Sequence, residues 1–234
     1  MKEKTNDKNR VEKAVVKHMR MLTMLLILVL AMAAPVNAKG GTRFLTATRI
    51  TKTVLDKLDL ENIDKVMIVA HPDDEMLWGG MHLIQDDYLV VCLTNANTRR
   101  YGKTRMREFK KVMEQTNDIG LMLNYPDYSS TGGIDNWTSC SKRMQEDLNT
   151  LLTYKNWKEV VTHNKQGEYG HKHHKKTHRF VTKAFKKAGL TGATLKYFGK
   201  YHKKGYKKAS VYTKAQIQKK KRILSTYRSQ RSIY

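Results

Sequence analysis

The chain contains little cysteine. Cys92 and Cys140 are the two cysteines in 234 residues. Cys92 lies in an apolar segment that predicts a buried strand, where a thiol behaves as a small core side chain. Two cysteines so placed do not form the framework of a disulfide-stapled fold, and we expect both to be unpaired. The length and apolar content instead suit one α/β domain with an ample hydrophobic core.

Acidic residues are missing from the last third of the chain. The formal net charge is +24, and Tyr169–Tyr234 holds 20 basic residues and no acid. Met1–Ala38 holds seven basic and three acidic residues, whereas Lys39–Glu168 is balanced at 18 of each. A polycationic face attracts polyanions. The predicted partner of this basic third is an anionic cell-wall polymer or membrane surface rather than nucleic acid.

The N-terminal region has an apolar run that is short for a membrane span. Met21–Ala34 is 14 residues long, against the roughly 20 that a spanning helix prefers. A basic leader precedes it, and Val36 and Ala38 stand three and one positions before Lys39. This order is typical of a secretory signal peptide over residues 1–38, with an uncleaved membrane anchor as the alternative. Either way we expect an exported protein, secreted or held at the cell surface, and the low cysteine content fits a bacterial one.

No Gly-x-Gly-x-x-Gly or Walker loop occurs, so we expect no nucleotide cofactor. The chemistry is concentrated instead in Val66–Glu75, Val-Met-Ile-Val-Ala-His-Pro-Asp-Asp-Glu. The short apolar run predicts a buried parallel strand, and Pro72 ends it because proline cannot donate to a strand ladder. Ligands bind at the carboxyl ends of such strands. A histidine and two carboxylates there can hold a divalent metal and leave one acid as a base. A solvated turn that caps the next helix is the alternative, although a cap needs one acid only.

A second histidine cluster follows another predicted strand, Glu159–Thr162. Here His171 and His174 are three residues apart, so one helical turn places both on the same side. His173 and His178 are alternative ligands that the spacing leaves open. A basic, histidine-rich surface turn is the competing interpretation when this segment is considered alone.

Strands alternate with helices along the rest of the chain. This predicts an α/β fold, a single-domain Rossmann-like doubly wound, mostly parallel sheet with helices on both faces. Residues 39–63 are a polar lead-in and residues 64–234 form the domain. The predicted strands are Val66–Ala70, Tyr88–Leu93, Leu121–Asn124, Glu159–Thr162 and an edge strand at Leu195–Phe198. The predicted helices are Thr51–Leu60, Glu75–Gln85, Thr104–Asn117, Ser141–Tyr154, Lys176–Ala188 and 213–227.

The two motifs together resemble those of the zinc-dependent N-acetylglucosaminyl de-N-acetylases, which include the glycosylphosphatidylinositol-pathway and mycothiol-pathway enzymes. The resemblance rests on Ala70–Glu75 followed by Gly79-Gly80, and on Gly-His-x-x-His at 170–174. It runs from about Asp64 to the C-terminus. It implies one Zn²⁺ per chain with the ligands His71, Asp74 and His174. It also implies that Asp73 is the general base and that His171 stabilises the oxyanion or protonates the leaving group.

Three further positions fit the same family. Arg105 and Glu108 form an Arg-x-x-Glu whose arginine contacts substrate in the family; the alternative is a surface ion pair. Asp127 aligns with a sugar-contacting acid, and Tyr-Arg-Ser-Gln at 227–230 resembles the closing motif of the domain. One departure stands out: Lys172-His173 replaces a frequent Pro-Asp. This removes an acid near His171, and it leaves open how the acid–base properties of that histidine are tuned.

The resemblance implies a hydrolase that removes the N-acetyl group from an N-acetylglucosamine-containing glycan or glycoconjugate. Acetate and a free amino sugar are the products. Another zinc amidase or esterase on the same scaffold is one alternative, and a basic wall-polymer- or nucleic-acid-binding protein with an inert site is another. Aromatic residues near the predicted mouth either stack on a sugar ring or pack in the core; they are Trp78, Tyr101, Tyr128, Trp137 and Tyr169.

Overall fold

One six-stranded sheet, with the strand order β1-β4-β3-β2-β5-β6, forms the centre of the protein. The computed structural model describes residues 41–95, 102–202 and 211–233. Every strand pairing in the sheet is parallel, which confirms the predicted α/β fold. The strands are β1 (Phe44–Ala47), β2 (Lys65–Val69), β3 (Leu89–Thr94), β4 (Ile119–Tyr125), β5 (Glu159–Thr162) and β6 (Thr194–Tyr197).

Helices cover both faces of this sheet, as the apolar strands require. They are α1 (Lys52–Leu55), α2 (Asp74–Leu77), α3 (Gly80–Gln85), α4 (Gly102–Thr116), α5 (Ser141–Thr153), α6 (Lys172–Ala188) and α7 (Lys214–Leu224), followed by a 3₁₀ helix at Arg228–Ile233. Successive side chains of β2 point to opposite faces. Val66 and Ile68 join the core cluster that includes α5 and α6, whereas Met67 and Val69 join the cluster that includes α4 and α7.

Three local expectations are wrong. Phe44–Ala47, within the lead-in, is an edge strand paired with β4; its side chains are mostly half-buried, so no strong apolar run marks it. The single helix expected over Glu75–Gln85 is two helices, α2 and α3. The chain turns at Gly79, where a Cβ would lie 2.6 Å from the Met67 side chain. Finally, α6 begins at Lys172, four residues earlier than expected.

The strand order places both histidine motifs in one crevice. From β2 the sheet continues to β3 on one side and to β5 on the other. Such a reversal opens a crevice at the carboxyl ends of the two strands. The segment that starts at His71 follows β2, and the segment that starts at His163 follows β5.

Residues 1–38, with the predicted signal peptide, lie outside the described part of the chain, and so does Tyr101. Among the described helices, none combines the length and apolar character needed to cross a bilayer. Both cysteines are buried free thiols.

Candidate active site

The loop after β2 is held in a strained conformation by its neighbours. Asp73 has φ 117° and ψ −29°, a region that non-glycine residues rarely adopt and that tends to occur at functional sites. Arg105 Nη2 donates to the Pro72 carbonyl at 2.6 Å. The Asp74 carboxylate accepts from the His71 backbone N–H at 2.9 Å. These bonds fix the directions in which the side chains of the loop point.

Four donor atoms of three side chains converge at the end of β2. Asp74 Oδ2 lies 3.1 Å from His71 Nδ1, and Asp74 Oδ1 lies 3.2 Å from His174 Nε2. The two histidine nitrogens are 3.4 Å apart. A tetrahedral zinc site with bonds of about 2.0–2.1 Å needs donor atoms about 3.3 Å apart. The donor atoms of His71, Asp74 and His174 therefore lie at the spacing that a zinc-type ion requires, with Asp74 facing the two histidines through different oxygens.

The charge of Asp74 favours a cation. Burial opposes a charge on His71, but its interactions with Asp127 and Asp74 outweigh it and raise the pKa of His71 to about 9, so metal binding must displace a proton from this histidine. His71, Asp74 and His174 are all buried. Burial opposes ionisation of Asp74, but the neighbouring His174 and His163 outweigh it and hold the pKa of Asp74 well below its ordinary value. Asp74 is therefore a carboxylate at neutral pH, as a metal ligand must be.

Glu168 orients His174 by binding Nδ1, the ring nitrogen that does not face His71 and Asp74. Its Oε2 accepts from His174 Nδ1 at 2.6 Å and from His163 Nδ1 at 2.9 Å. Burial opposes the charge, but these two hydrogen bonds outweigh it and lower the pKa of Glu168 to about 2. Such a carboxylate fixes the tautomer of a metal-binding histidine. It leaves the Nε2 lone pair of His174 facing His71 and Asp74.

His163 supports the site through hydrogen bonds, although it also forms with Asp74 and His174 a group that could hold a metal ion. Its Nε2 accepts from the Ala70 backbone N–H at 3.0 Å, and its Nδ1 donates to Glu168. Both nitrogens are therefore used, although Nε2 lies 3.5 Å from Asp74. The sequence analysis missed His163 and Glu168 as functional positions. The sequence signals were the position of His163 directly after β5 and that of Glu168 just before the Gly-His-x-x-His motif at 170–174.

His171 is the N-cap residue of α6, and one of its ring nitrogens lies within 4.8 Å of the donor atoms of His71 and His174. Its Nδ1 accepts from the His173 backbone N–H at 3.2 Å, so Nε2 carries the proton. Burial and the nearby His71 and His174 lower the pKa of His171 to about 3. His171 is therefore a neutral N–H donor at the site.

His173 occupies the position where the family often has an acid. Its Nε2 donates to the Asp135 carbonyl at 2.6 Å, and its Nδ1 lies 2.9 Å from His71 Nε2. The ring stacks on Trp137 with centroids 3.9 Å apart and planes 4° apart. This arrangement lets His71 donate from Nε2 to His173 while Nδ1 faces the other two donor atoms.

The two histidines that the spacing left open, His173 and His178, occupy different positions in the structure. His173 faces the opposite nitrogen of His71 from the one that faces Asp74 and His174. With His71 and Asp127 it forms another group of side chains that could hold a metal ion. His178 Nδ1 lies 3.0 Å from the His163 carbonyl. In the described segments His178 belongs to none of the groups that could hold a metal ion. These groups are His71-His171-His174, His71-Asp127-His173 and Asp74-His163-His174, so the proposed ligands His71, Asp74 and His174 are divided between them.

Asp73 lies beside the donor atoms of these ligands and pairs with Arg105. Arg105 Nη2 is 3.2 Å from Asp73 Oδ1, and Nη1 is 3.9 Å from Asp127 Oδ2. Burial raises the pKa of Asp73 to about 7, against the opposing charge of Arg105. A carboxyl that titrates near neutrality is suited to both accepting and releasing a proton.

The motif at 227–230 forms hydrogen bonds with Glu75, in the segment after β2, and with Glu108 of α4. Tyr227 donates to Glu75 Oε1, and Glu75 Oε2 accepts from the Asp73 N–H at 3.0 Å. Glu108 accepts from the Ser229 N–H and hydroxyl at 3.0 and 2.5 Å. Arg105 pairs with Asp73, whereas Glu108 accepts from Ser229. Both side chains are also buried, so Arg105 and Glu108 do not form the surface ion pair that was the alternative.

A cavity of about 170 Å³ opens onto this cluster. Its floor includes Asp73 and His171, and its rim carries the aromatic side chains Trp78, Tyr128 and Tyr169. Tyr128 and Tyr169 are 40% and 58% exposed, so their rings are accessible to a sugar. Trp137, in contrast, is fully buried against His173 and is a core residue.

The sequence profile of one protein family, PIG-L: GlcNAc-PI de-N-acetylase, matches residues 66–185. Uncharacterized protein L374 of Acanthamoeba polyphaga mimivirus is 36% identical over 125 residues, which are 48% of this chain and 53% of that protein. The chain thus spans about half the length of this relative.

Solved structures share the fold. An N,N'-diacetylchitobiose deacetylase from Pyrococcus horikoshii superposes with a TM-score of 0.54 at 16% identity, covering 73% of this chain and 72% of its own. The A40926 pseudoaglycone deacetylase Dbv21 superposes with a TM-score of 0.56 at 15% identity, covering 74% and 84%. At these identities the comparison establishes the fold alone.

Proposed function

The chain belongs to the PIG-L family, that of GlcNAc-PI de-N-acetylase, and we propose that it is a zinc-dependent deacetylase. Its substrate is an N-acetylglucosamine-containing glycan or glycoconjugate, and its products are acetate and a free amino sugar. The observation that carries this proposal is the convergence of His71, Asp74 and His174 beside Asp73. His71, Asp73 and Asp74 also line an open cavity. The solved relatives named as deacetylases support the same reaction class.

Zinc is the metal that this donor set favours. Two imidazoles and one carboxylate are typical of catalytic zinc sites, which keep a further position open. A zinc ion held there would polarise the amide carbonyl and lower the pKa of water towards about 7. His71 and His174 are held by His173 and Glu168 respectively, so each presents one lone pair in a fixed direction.

Asp73 is the proposed general base. It takes a proton from the attacking water as the water oxygen bonds to the amide carbon. It returns that proton to the nitrogen as the carbon–nitrogen bond breaks, so the amine leaves neutral. Arg105, 3.2 Å away, positions the Asp73 carboxylate. Its positive charge offsets the negative charge of this buried carboxylate. Asp127 lies next to Arg105 and is the proposed sugar-contacting acid.

His171 is the proposed oxyanion donor. Its Nδ1 is occupied by the His173 backbone N–H, so its Nε2–H is free to donate to the carbonyl oxygen as negative charge develops there. A preorganised donor of this kind in a partly buried site is worth about 10²–10³-fold in rate. Arg105 and the rim tyrosines Tyr128 and Tyr169 line the same cavity and would hold the sugar.

The test is a substrate screen on the purified protein. N-acetylglucosamine-bearing glycans and glycolipids are incubated with zinc-loaded protein, and acetate release is measured. Chelated protein and His174→Ala are the controls, and acetyl esters of the same sugars form a second panel. We expect amide hydrolysis that chelation abolishes and zinc restores. Cleavage of the esters alone would reassign the activity, and no zinc-dependent hydrolysis in either panel would overturn the proposal.

The location of the enzyme is a separate proposal. We infer export from the basic leader, the 14-residue apolar run and the Val36-x-Ala38 site, with residues 39–63 as lead-in and 64–234 as the deacetylase domain. The mature chain should begin at Lys39. N-terminal sequencing that finds Met1 retained would favour the membrane anchor. A bacterial origin remains a prediction, since the sequence relative is a mimivirus protein.

The basic last third of the chain is proposed to bind an anionic cell-wall polymer or membrane surface. The support is its charge, 20 basic residues without an acid. Such binding should weaken as salt rises, because exposed charges are screened over about 8 Å at physiological ionic strength. Adsorption to anionic vesicles or wall fragments that is independent of salt would count against it.

A further inference from the structure

A second group of donor atoms lies on the other side of the His71 ring from the proposed zinc site. His71 Nε2 is 2.9 Å from His173 Nδ1 and 3.4 Å from Asp127 Oδ1, and these last two atoms are 3.7 Å apart. The three distances bracket the separation of about 3.3 Å that a tetrahedral zinc-type ion requires of its donor atoms. All three side chains are buried, and their positions suit a metal ion.

The contacts of His173 prepare its ring to bind a cation. Nε2 donates to the Asp135 carbonyl at 2.6 Å, so Nδ1 carries a lone pair rather than a proton. A backbone carbonyl that binds the far ring nitrogen is the usual arrangement behind a metal-binding histidine. The stack on Trp137 fixes the direction of the ring. Since the family often has an acid at this position, the arrangement depends on the residues that this chain carries, Lys172-His173.

The three atoms surround a place that a proton occupies in the metal-free protein. Two acceptors, His173 Nδ1 and Asp127 Oδ1, face the same N–H of His71. A divalent cation that takes the place of this proton gains three donor atoms, and the proton is released to solvent. His71 then faces the proposed zinc ion with Nδ1 and the second cation with Nε2, as an imidazolate shared by two metals.

The active-site cavity gives a cation access to this group, because His71 and Asp127 both line it. Arg105 Nη1 lies 3.9 Å from Asp127 Oδ2, which is the carboxylate oxygen that does not face the two histidines. Arg105 and the first cation both repel a second cation. The second cation therefore binds more weakly than the first and is taken up when metal exceeds one equivalent. With one cation bound, Asp127 stays available to the sugar.

We propose that His71, Asp127 and His173 form a second metal site. Its donor set of two imidazoles and one carboxylate suits divalent cations such as Zn²⁺ or Co²⁺. The site shares His71 with the proposed zinc site, but it does not rest on the proposed deacetylase function.

The test is a titration of the metal-free full chain with Co²⁺, whose visible absorption reports each bound ion, in competition with a chelator. We expect two equivalents in the wild type, the second weaker. Asp127→Asn and His173→Asn each remove one donor; the new amide oxygen at position 173 can still accept from His71. Both variants should lose the second equivalent and keep the first, which also shows that they are folded. Asp87→Asn, at an exposed acid outside the group, should match the wild type.

A wild-type protein that takes up one equivalent only would overturn the second site. A second equivalent that both variants retain is bound elsewhere on the protein and would equally refute the assignment. The shared ligand is checked by electron paramagnetic resonance, because coupling through His71 should diminish the signal of the first Co²⁺ when the second binds. Two signals that add independently would rule out the shared imidazolate. None of these measurements needs turnover, so their outcome is separate from that of the deacetylase proposal.

Discussion

Replacing His173 with phenylalanine tests the support behind the candidate metal site. Phenylalanine keeps a flat ring to stack on Trp137 but removes both ring nitrogens. His71 Nε2 loses its partner at 2.9 Å, and the Asp135 carbonyl loses its donor at 2.6 Å. An orphaned buried polar group costs about 1–3 kcal/mol. Asp127 Oδ1 lies 3.4 Å from the same nitrogen of His71 and partly compensates for the lost bond between His71 and His173. We therefore expect a destabilisation of about 2–4 kcal/mol.

The same substitution should weaken metal binding. Loss of a partner behind a metal-binding histidine typically costs about 10–100-fold in affinity. The assay is zinc competition against a fluorescent chelator, with denaturant unfolding of the metal-free protein measured in parallel. His82→Phe is the matched control, since its Nδ1 lies 3.2 Å from the Tyr88 hydroxyl and away from the site. If His173→Phe binds zinc as tightly as His82→Phe, the proposed bond from His71 to His173 does not position the metal site.

Three further predictions concern the hydrogen bond from Tyr227 to Glu75, the ion pair of Arg105 with Asp73, and the buried Asp118. Tyr227→Phe removes the donor to buried Glu75 and should lower the unfolding free energy by about 1–3 kcal/mol in urea; a change under about 0.5 kcal/mol, the usual scatter of neutral surface substitutions, would contradict a stabilising role of this hydrogen bond. Arg105→Gln leaves Asp73 without its cation and should reduce kcat/KM while zinc content, measured by metal analysis, stays near one per chain; loss of the metal instead would make Arg105 a structural residue. Burial raises the pKa of Asp118 to about 8, so its contribution to stability is present at low pH and is lost as pH rises through 8. The advantage of Asp118→Asn over the wild type in unfolding free energy should therefore grow between about pH 5 and pH 9, and an advantage that is independent of pH would refute the shift.

Much of the fold follows from local sequence patterns. The short apolar runs of β2, β3 and β5 are buried on both faces, so they read clearly as parallel strands. Pro72 marks the end of β2 because it cannot continue the ladder. In contrast, β1 is a four-residue edge strand with half-buried side chains, and its pairing depends on a distant partner, β4. Short edge strands carry too little apolar patterning to be recognised alone.

The candidate site was only partly predictable. The residues that directly follow the strands, such as His71 and Asp74, stand out because their types and spacing suit a metal. Their orientation depends on hydrogen bonds between residues far apart in sequence, for example His174 to Glu168 and His71 to His173. Spacing left His173 and His178 equivalent as ligands. The three-dimensional contacts separate them, because only the fold determines which ring nitrogen faces the cluster.

The most direct test of the account compares two neighbouring aspartates. Asp74→Ala removes one of three converging donors, so zinc affinity and turnover should both collapse. Asp73→Asn keeps the shape of the loop and all three donors. It should retain zinc yet lose about 10²–10⁴-fold in turnover, the usual share of general acid–base catalysis. The measurement is zinc content and acetate release for both variants. A metallated Asp73→Asn protein with near-normal turnover would contradict the assignment of Asp73 as the base.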